Sequence, residues 1–108
     1  MDREKFIEGM KSSVRFTIEE RKEILDKSIR VTGPDIKHII AMEELAELQQ
    51  QISKMIRGEG NRFDLLEEMA DVYICLYYLS QIYNLSDVEL WRAVDVKIQR
   101  EKERRQDD

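Results

Sequence analysis

The chain has 108 residues, 42% of them hydrophobic and 38% charged, and 18 basic against 23 acidic side chains leave a net charge of −5. That length fits one domain spanning 1–108, and with one Pro and four Gly it suits an all-α bundle of four or five helices better than a turn-rich sandwich or barrel. The acidic balance argues against a general nucleic-acid binder, which needs a basic face, and a single cysteine forms neither an internal disulfide nor a zinc cluster.

The polar start Met1-Asp2-Arg3-Glu4-Lys5 lacks a signal peptide's apolar stretch, and no apolar run reaches membrane-spanning length. A cytoplasmic protein with no membrane partner is therefore expected. A first helix is read near 4–13. Thr17-Ile18-Glu19-Glu20 has capping-box form, in which the hydroxyl accepts from an orphan amide and the later Glu reaches back, and it opens a second helix over 18–31. Gly33-Pro34-Asp35 breaks the pattern before a third helix over 35–57. There Ile40, Ala41, Leu45, Leu48, Ile52, Met55 and Ile56 recur at threes and fours, a stripe expected to be core. His38 shares the side of Leu45 and Ile56, where a half-buried structural role is expected.

Arg57-Gly58-Glu59-Gly60-Asn61, with Asn61 as cap, leads into a fourth helix over 62–83. Its segment Met69 to Leu79 is apolar or aromatic on every side, as in a helix surrounded by others. Cys75 is expected as a small core residue, and Tyr73, Tyr77, Tyr78 and Trp91 as core or interface aromatics. Ser86-Asp87-Val88-Glu89, a second capping-box pattern, opens the last helix over 87–105. A core this small leaves apolar surface to cover, so a homodimer or homotetramer is expected.

Asp71 is the one charge between residues 69 and 79. A carboxylate in apolar surroundings must be protonated, paired or metal-bound. Glu68, three residues earlier, projects from the same helix face, and the third helix carries a matching pair in Glu44 and Glu47, with Glu43 beside them and Lys54 two turns on. Four carboxylates converging from two helices repel one another unless a cation sits among them. Magnesium, with manganese as the alternative, suits such hard oxygen donors; zinc or iron more often recruits Cys or His, and only Cys75 and His38 are present. A di-iron bundle also needs paired Glu-x-x-His motifs, which a single histidine does not supply. The plain alternative for Glu43, Glu44 and Glu47 is a solvated helix face.

Glu43-Glu44-Leu45-Ala46-Glu47, then twenty residues, then Glu68-Met69-Ala70-Asp71 resembles the EExxE and ExxD motifs of the MazG-like all-α nucleoside triphosphate pyrophosphohydrolases, relatives of the dimeric dUTPases. Lys97-Ile98-Gln99-Arg100 resembles the basic segment of small, phage-type members, and the likeness runs from about Asp35 to Arg105. The resemblance implies that Glu44, Glu47, Glu68 and Asp71 ligate magnesium, with Glu43 behind them. It implies hydrolysis of a nucleoside triphosphate, a dNTP or non-canonical NTP, by water attacking the α-phosphorus to give the monophosphate and pyrophosphate. Glu44 is the candidate to position or deprotonate that water.

Lys97, Arg100 and Arg104 either hold phosphate or belong to a salt-laced helix with Glu101, Glu103, Asp107 and Asp108. Lys54 either pairs with the nearby acids or reaches a phosphate, and a neighbouring subunit is one way to bring Lys97 and Arg100 to the acids. The non-enzymatic alternative is a helical oligomerisation or adaptor module whose carboxylates form a structural network.

Overall fold

A computed structural model describes residues 1–106 as five helices with no strand among the described residues: α1 (Arg3–Lys11), α2 (Ile18–Thr32), α3 (Pro34–Ile56), α4 (Arg62–Ile82) and α5 (Asp87–Gln106). The all-α expectation holds. Asp107 and Asp108, expected among the acids near the end of the last helix, lie outside the described residues.

Local chemistry sets the helix ends. Asp2 caps α1 by accepting from the Lys5 amide at 3.2 Å, and the Ser12 hydroxyl closes it by donating to the Gly9 carbonyl at 2.6 Å. The capping box of α2 is complete: the Glu20 amide donates to Thr17 Oγ1 at 3.1 Å, and the Thr17 amide donates to Glu20 Oε1 at 2.9 Å. Ser86 supplies the hydroxyl half of that motif to α5, accepting from the Glu89 amide at 3.1 Å. Asn61 Oδ1 accepts from the amides of Phe63 and Asp64 at 2.8 and 3.4 Å, opening α4. The end of α3 is a Schellman motif, in which Glu59 donates to the Lys54 carbonyl at 2.9 Å and Gly58 to that of Met55 at 3.2 Å. Gly58 supplies the left-handed residue it requires, at φ +74°. Asn84 at φ +56° does the same after α4, where Leu85 donates to the Ser80 carbonyl at 2.7 Å.

The five residues between α3 and α4 make the two helices an antiparallel hairpin. Contacts across it run in opposite directions along the two helices: His38 Nε2 meets the Tyr83 hydroxyl at 2.8 Å, Lys37 Nζ lies 4.2 Å from the centre of the Tyr78 ring, and Glu44 reaches Glu68 and Asp71. α2 covers the end of the hairpin away from its turn. There Lys37 Nζ donates to Ser28 Oγ at 2.7 Å, and the Tyr77 hydroxyl to Asp26 Oδ1 at 2.7 Å. α1 lies on the other half of α4, where the Arg3 guanidinium meets the Asp64 carboxylate at 3.0 and 2.7 Å and the Met1 amine meets Glu67 at 3.2 Å.

The core is small: Ala41, Cys75 and Tyr78 are buried, with Leu25, Ile29, Ile40, Tyr77 and Leu79 packed around them. His38 is half-buried as expected, and Cys75 is a core residue. Since the Pro34 carbonyl can only accept, His38 Nδ1 donates to it at 2.6 Å, and Nε2 accepts from Tyr83. Two expectations need correction. Within the α3 stripe, Ala41 is buried and Ile40 and Leu48 are half-buried, while Leu45, Ile52, Met55 and Ile56 are exposed. Nor is α4 surrounded, because Met69, Tyr73, Ile74 and Leu76 face outward. The physical reason is common to both: α1 and α2 are too short to wrap the hairpin, and α5 covers only part of one flank of α4, so the chain lacks helices for every apolar face its sequence presents.

Candidate metal centre

Along α3 the side turned to α4 carries Lys37, Ala41, Glu44, Leu48 and Gln51, all buried or half-buried, while Met42, Glu43, Leu45, Ala46 and Glu47 are exposed. Lys37, Glu44 and Gln51 are seven residues apart, so they stack two turns from one another on a single side. The matching side of α4 carries Asp64, Glu68, Asp71, Cys75 and Tyr78 at threes and fours.

One carboxylate oxygen each from Glu44, Glu68 and Asp71 lies within 4.8 Å of the others. Glu44 Oε2 and Glu68 Oε2 are sealed from solvent without a hydrogen-bond partner, and so is Gln51 Oε1. Beside Glu68 opens a cavity of about 330 Å³ lined by Met1, Arg3, Gln51, Asp64, Glu67 and Glu68.

Electrostatics follow from that crowding. Burial, reinforced by the Asp71 charge, pushes the Glu44 carboxyl up to about 8. Burial raises Glu68 too, with Glu47 and Asp71 adding to the effect. The Cys75 thiol is raised by burial and then by Glu44 and Asp71, against an opposing pull from Lys37. Asp64 is lowered, chiefly by its hydrogen bonds to Arg3 and further by the charges of Arg3 and Lys54.

The structure thus brings together three of the four expected ligands. Glu47 is exposed and outside the three-oxygen group, though its charge raises both Glu44 and Glu68. Glu43 is exposed. Lys54 is exposed, and its charge acts on Asp64 at the cavity. Lys97 and Arg100 are exposed on α5, which meets α4 along a groove lined by Tyr73, Leu76, Tyr77, Leu90, Trp91 and Val94. At about 100° per residue, Tyr73 and Tyr77 lie across the α4 axis from Glu68 and Asp71, so within one chain Lys97 and Arg100 are not brought to the acids. Arg104 pairs with Glu101 at 3.3 Å, as in a salt-laced helix.

Arg3, Lys37, Gln51 and Asp64 were not singled out from the sequence. The seven-residue spacing of Lys37, Glu44 and Gln51 is a usable signal, since it threads polar groups through an apolar repeat. Arg3 and Asp64 are 61 residues apart, and no local pattern links them.

The chain matches no known family model, no curated protein and no solved structure.

Do the residues suit a magnesium ion? Two oxygens on one magnesium lie at most about 4.2 Å apart, twice a bond of about 2.1 Å. At most one pair among three ligands is trans, the others being cis at about 3.0 Å, so the three oxygens, within 4.8 Å of one another, would draw inward to bind one ion. The donors are all hard oxygens; Glu44 Oε2 and Glu68 Oε2 are sealed, and without a cation the proton held by Glu44 is shared toward Asp71 and Glu68.

Proposed function

We propose that this protein is a magnesium-dependent nucleoside triphosphate pyrophosphohydrolase of MazG-like type, converting a dNTP or non-canonical NTP to the monophosphate and pyrophosphate. One observation carries the proposal: Glu44, Glu68 and Asp71 converge from two helices to within 4.8 Å with unpartnered oxygens among them. In the metal-free protein the proton kept by Glu44 and the nearby Met1 amine offset the repulsion, and a cation would take the place of that proton. Glu44, Glu68 and Asp71 would hold the cation, and Glu47, exposed outside that group but near enough for its charge to raise Glu44 and Glu68, would turn inward to join them. The bound cation would neutralise phosphate charge and stabilise the attacking and leaving oxygens. Glu44 takes the role of orienting the attacking water and accepting its proton. The α3–α4 hairpin keeps the acids in register, and the charge of Lys54 acts on Asp64, which lines the cavity beside Glu68.

The test is a panel of NTPs and dNTPs incubated with Mg²⁺ and scored for pyrophosphate against orthophosphate. Pyrophosphate and monophosphate are expected. Orthophosphate with a diphosphate product places the attack at the γ-phosphorus and overturns the assignment.

A non-catalytic oligomerisation or adaptor module is favoured by one feature, the exposed apolar side chains of α3, α4 and α5. It separates cleanly from the enzyme: Mg²⁺ leaves its melting temperature unchanged, since only a ligand bound to the native state stabilises it.

A further inference from the structure

The cavity beside the acid cluster has two chemically different sides. Its inner side is formed by the Glu67 and Glu68 carboxylates and Gln51, with Glu68 Oε2 and Gln51 Oε1 sealed behind that wall without a partner. Its rim holds cations: the Met1 amine lies 3.2 Å from Glu67 Oε1, Arg3 Nε and Nη2 donate to the two oxygens of Asp64 at 3.0 and 2.7 Å, and Lys54 adds its charge at that carboxylate. The Arg3–Asp64 pair is open to solvent, the two side chains keeping 51% and 27% exposure. Pairs so placed are screened and contribute little to stability, so exchanging one partner costs little. The two parallel donors of a guanidinium match the oxygens of a phosphate as well as those of a carboxylate. A magnesium polyphosphate offers a cation to the inner side and anionic oxygens to the rim.

We infer that Arg3 is a phosphate-binding arm of the site, which exchanges Asp64 for the terminal phosphates of a magnesium-bound polyphosphate entering this cavity. The inference rests on Glu44, Glu68 and Asp71 being a magnesium site and adds to it the element that recognises the anion. Asp64 acts as a stand-in for phosphate, keeping the guanidinium oriented and competing with the ligand for it. α1 therefore belongs to the binding site, although it contributes nothing to the acid cluster itself.

Calorimetry on the full chain, first with Mg²⁺ alone and then with magnesium tripolyphosphate, tests this in the wild type, R3A, R3K, D64N and the R3A/D64N double variant. Mg²⁺ affinity should be unchanged by R3A. Tripolyphosphate affinity should fall about tenfold or more in R3A, the usual worth of a charge-assisted bidentate contact, and less in R3K, which keeps a point charge without the fork. D64N releases the arm and should bind tripolyphosphate more tightly, and that gain should vanish in the double variant. Equal weakening in R3A and D64N would mean that the pair merely fastens α1 to α4, and the arm is then wrong. It is also wrong if R3A binds tripolyphosphate like the wild type, or if the D64N gain persists in full without Arg3. A wild type that takes up no Mg²⁺ removes the metal site and the arm together, whereas Mg²⁺ uptake with Arg3-independent tripolyphosphate binding removes the arm alone.

Discussion

Glu44 couples the stability of the protein to pH. Its carboxyl is raised from 4.5 to about 8 in the folded chain, so between those values the folded state holds a proton that the unfolded state has released. Stability from that proton is complete below about pH 4.5 and is lost as the pH rises through 8. The metal-free protein should therefore melt at progressively lower temperature from pH 5 to 8, and Mg²⁺ should restore the loss most strongly at the alkaline end. Calorimetric titrations of Mg²⁺ near pH 7 in buffers of different ionisation enthalpy should show proton release; its absence would mean that Glu44 is not displaced from its proton by the cation. Asp71 is the second lever, since its charge contributes to raising Glu44. Asp71→Asn should cut activity on the order of a hundredfold or more and weaken Mg²⁺ binding, while the metal-free melting temperature holds or rises because a repulsive charge is gone. Unchanged Mg²⁺ affinity would exclude Asp71 as a ligand. The acids were legible in the sequence because helical periodicity is local: three-residue spacing puts Glu68 with Asp71 whatever the rest of the chain does. Arg3 and Gln51 were not, since their relevance depends on how α1 and α3 lie against α4.

Helix ends are where the chain signals its structure most directly. Thr17, Asn61 and Ser86 each precede a helix and each bond to its first amides, so sequence and structure agree closely on where α2, α4 and α5 begin. Two glycines make the contrast between conformation and propensity measurable. Gly58 sits at φ +74° with open space around it, so Gly58→Ala should cost about 1 kcal/mol from the left-handed backbone alone. Gly9 lies within α1 and also has open space around it, so Gly9→Ala should stabilise by about 0.5–1 kcal/mol. Urea titrations of the two variants should move in opposite directions, and matching shifts would refute the backbone explanation. The apolar stripe of α3 shows where periodicity stops being informative. It locates an apolar side of a helix, but Leu45, Ile52 and Ile56 show that it does not tell whether the same chain provides the cover.

The whole molecule is open for its mass. Its accessible surface is 8894 Å², against roughly 6,300 Å² for a folded monomer of 12.9 kDa, and its radius of gyration is 16.6 Å, against about 13 Å for a compact chain of this length. The excess of about 2,600 Å² is more than a standard interface takes from each partner, about 800 Å². Tyr73 at 71% and Trp91 at 64% exposure lie within it. Light scattering should give a mass of at least two chains, with a fully active monomer as the refuting result. In mixtures of Asp71→Asn chains with Lys97→Ala, Arg100→Ala chains, partial recovery of activity would show that α5 of one copy completes the site of another. No helix among the described residues is long and apolar enough to cross a membrane. The five-residue turn between α3 and α4 also has a kinetic meaning. Glu44, Glu68 and Asp71 meet when the hairpin closes, a more local step than docking α1 or α5, so whatever charge they carry bears on that step. If the hairpin is the nucleus, Mg²⁺ should speed refolding as well as slow unfolding, and stopped-flow traces with an unaltered refolding rate would place metal capture after the rate-limiting barrier.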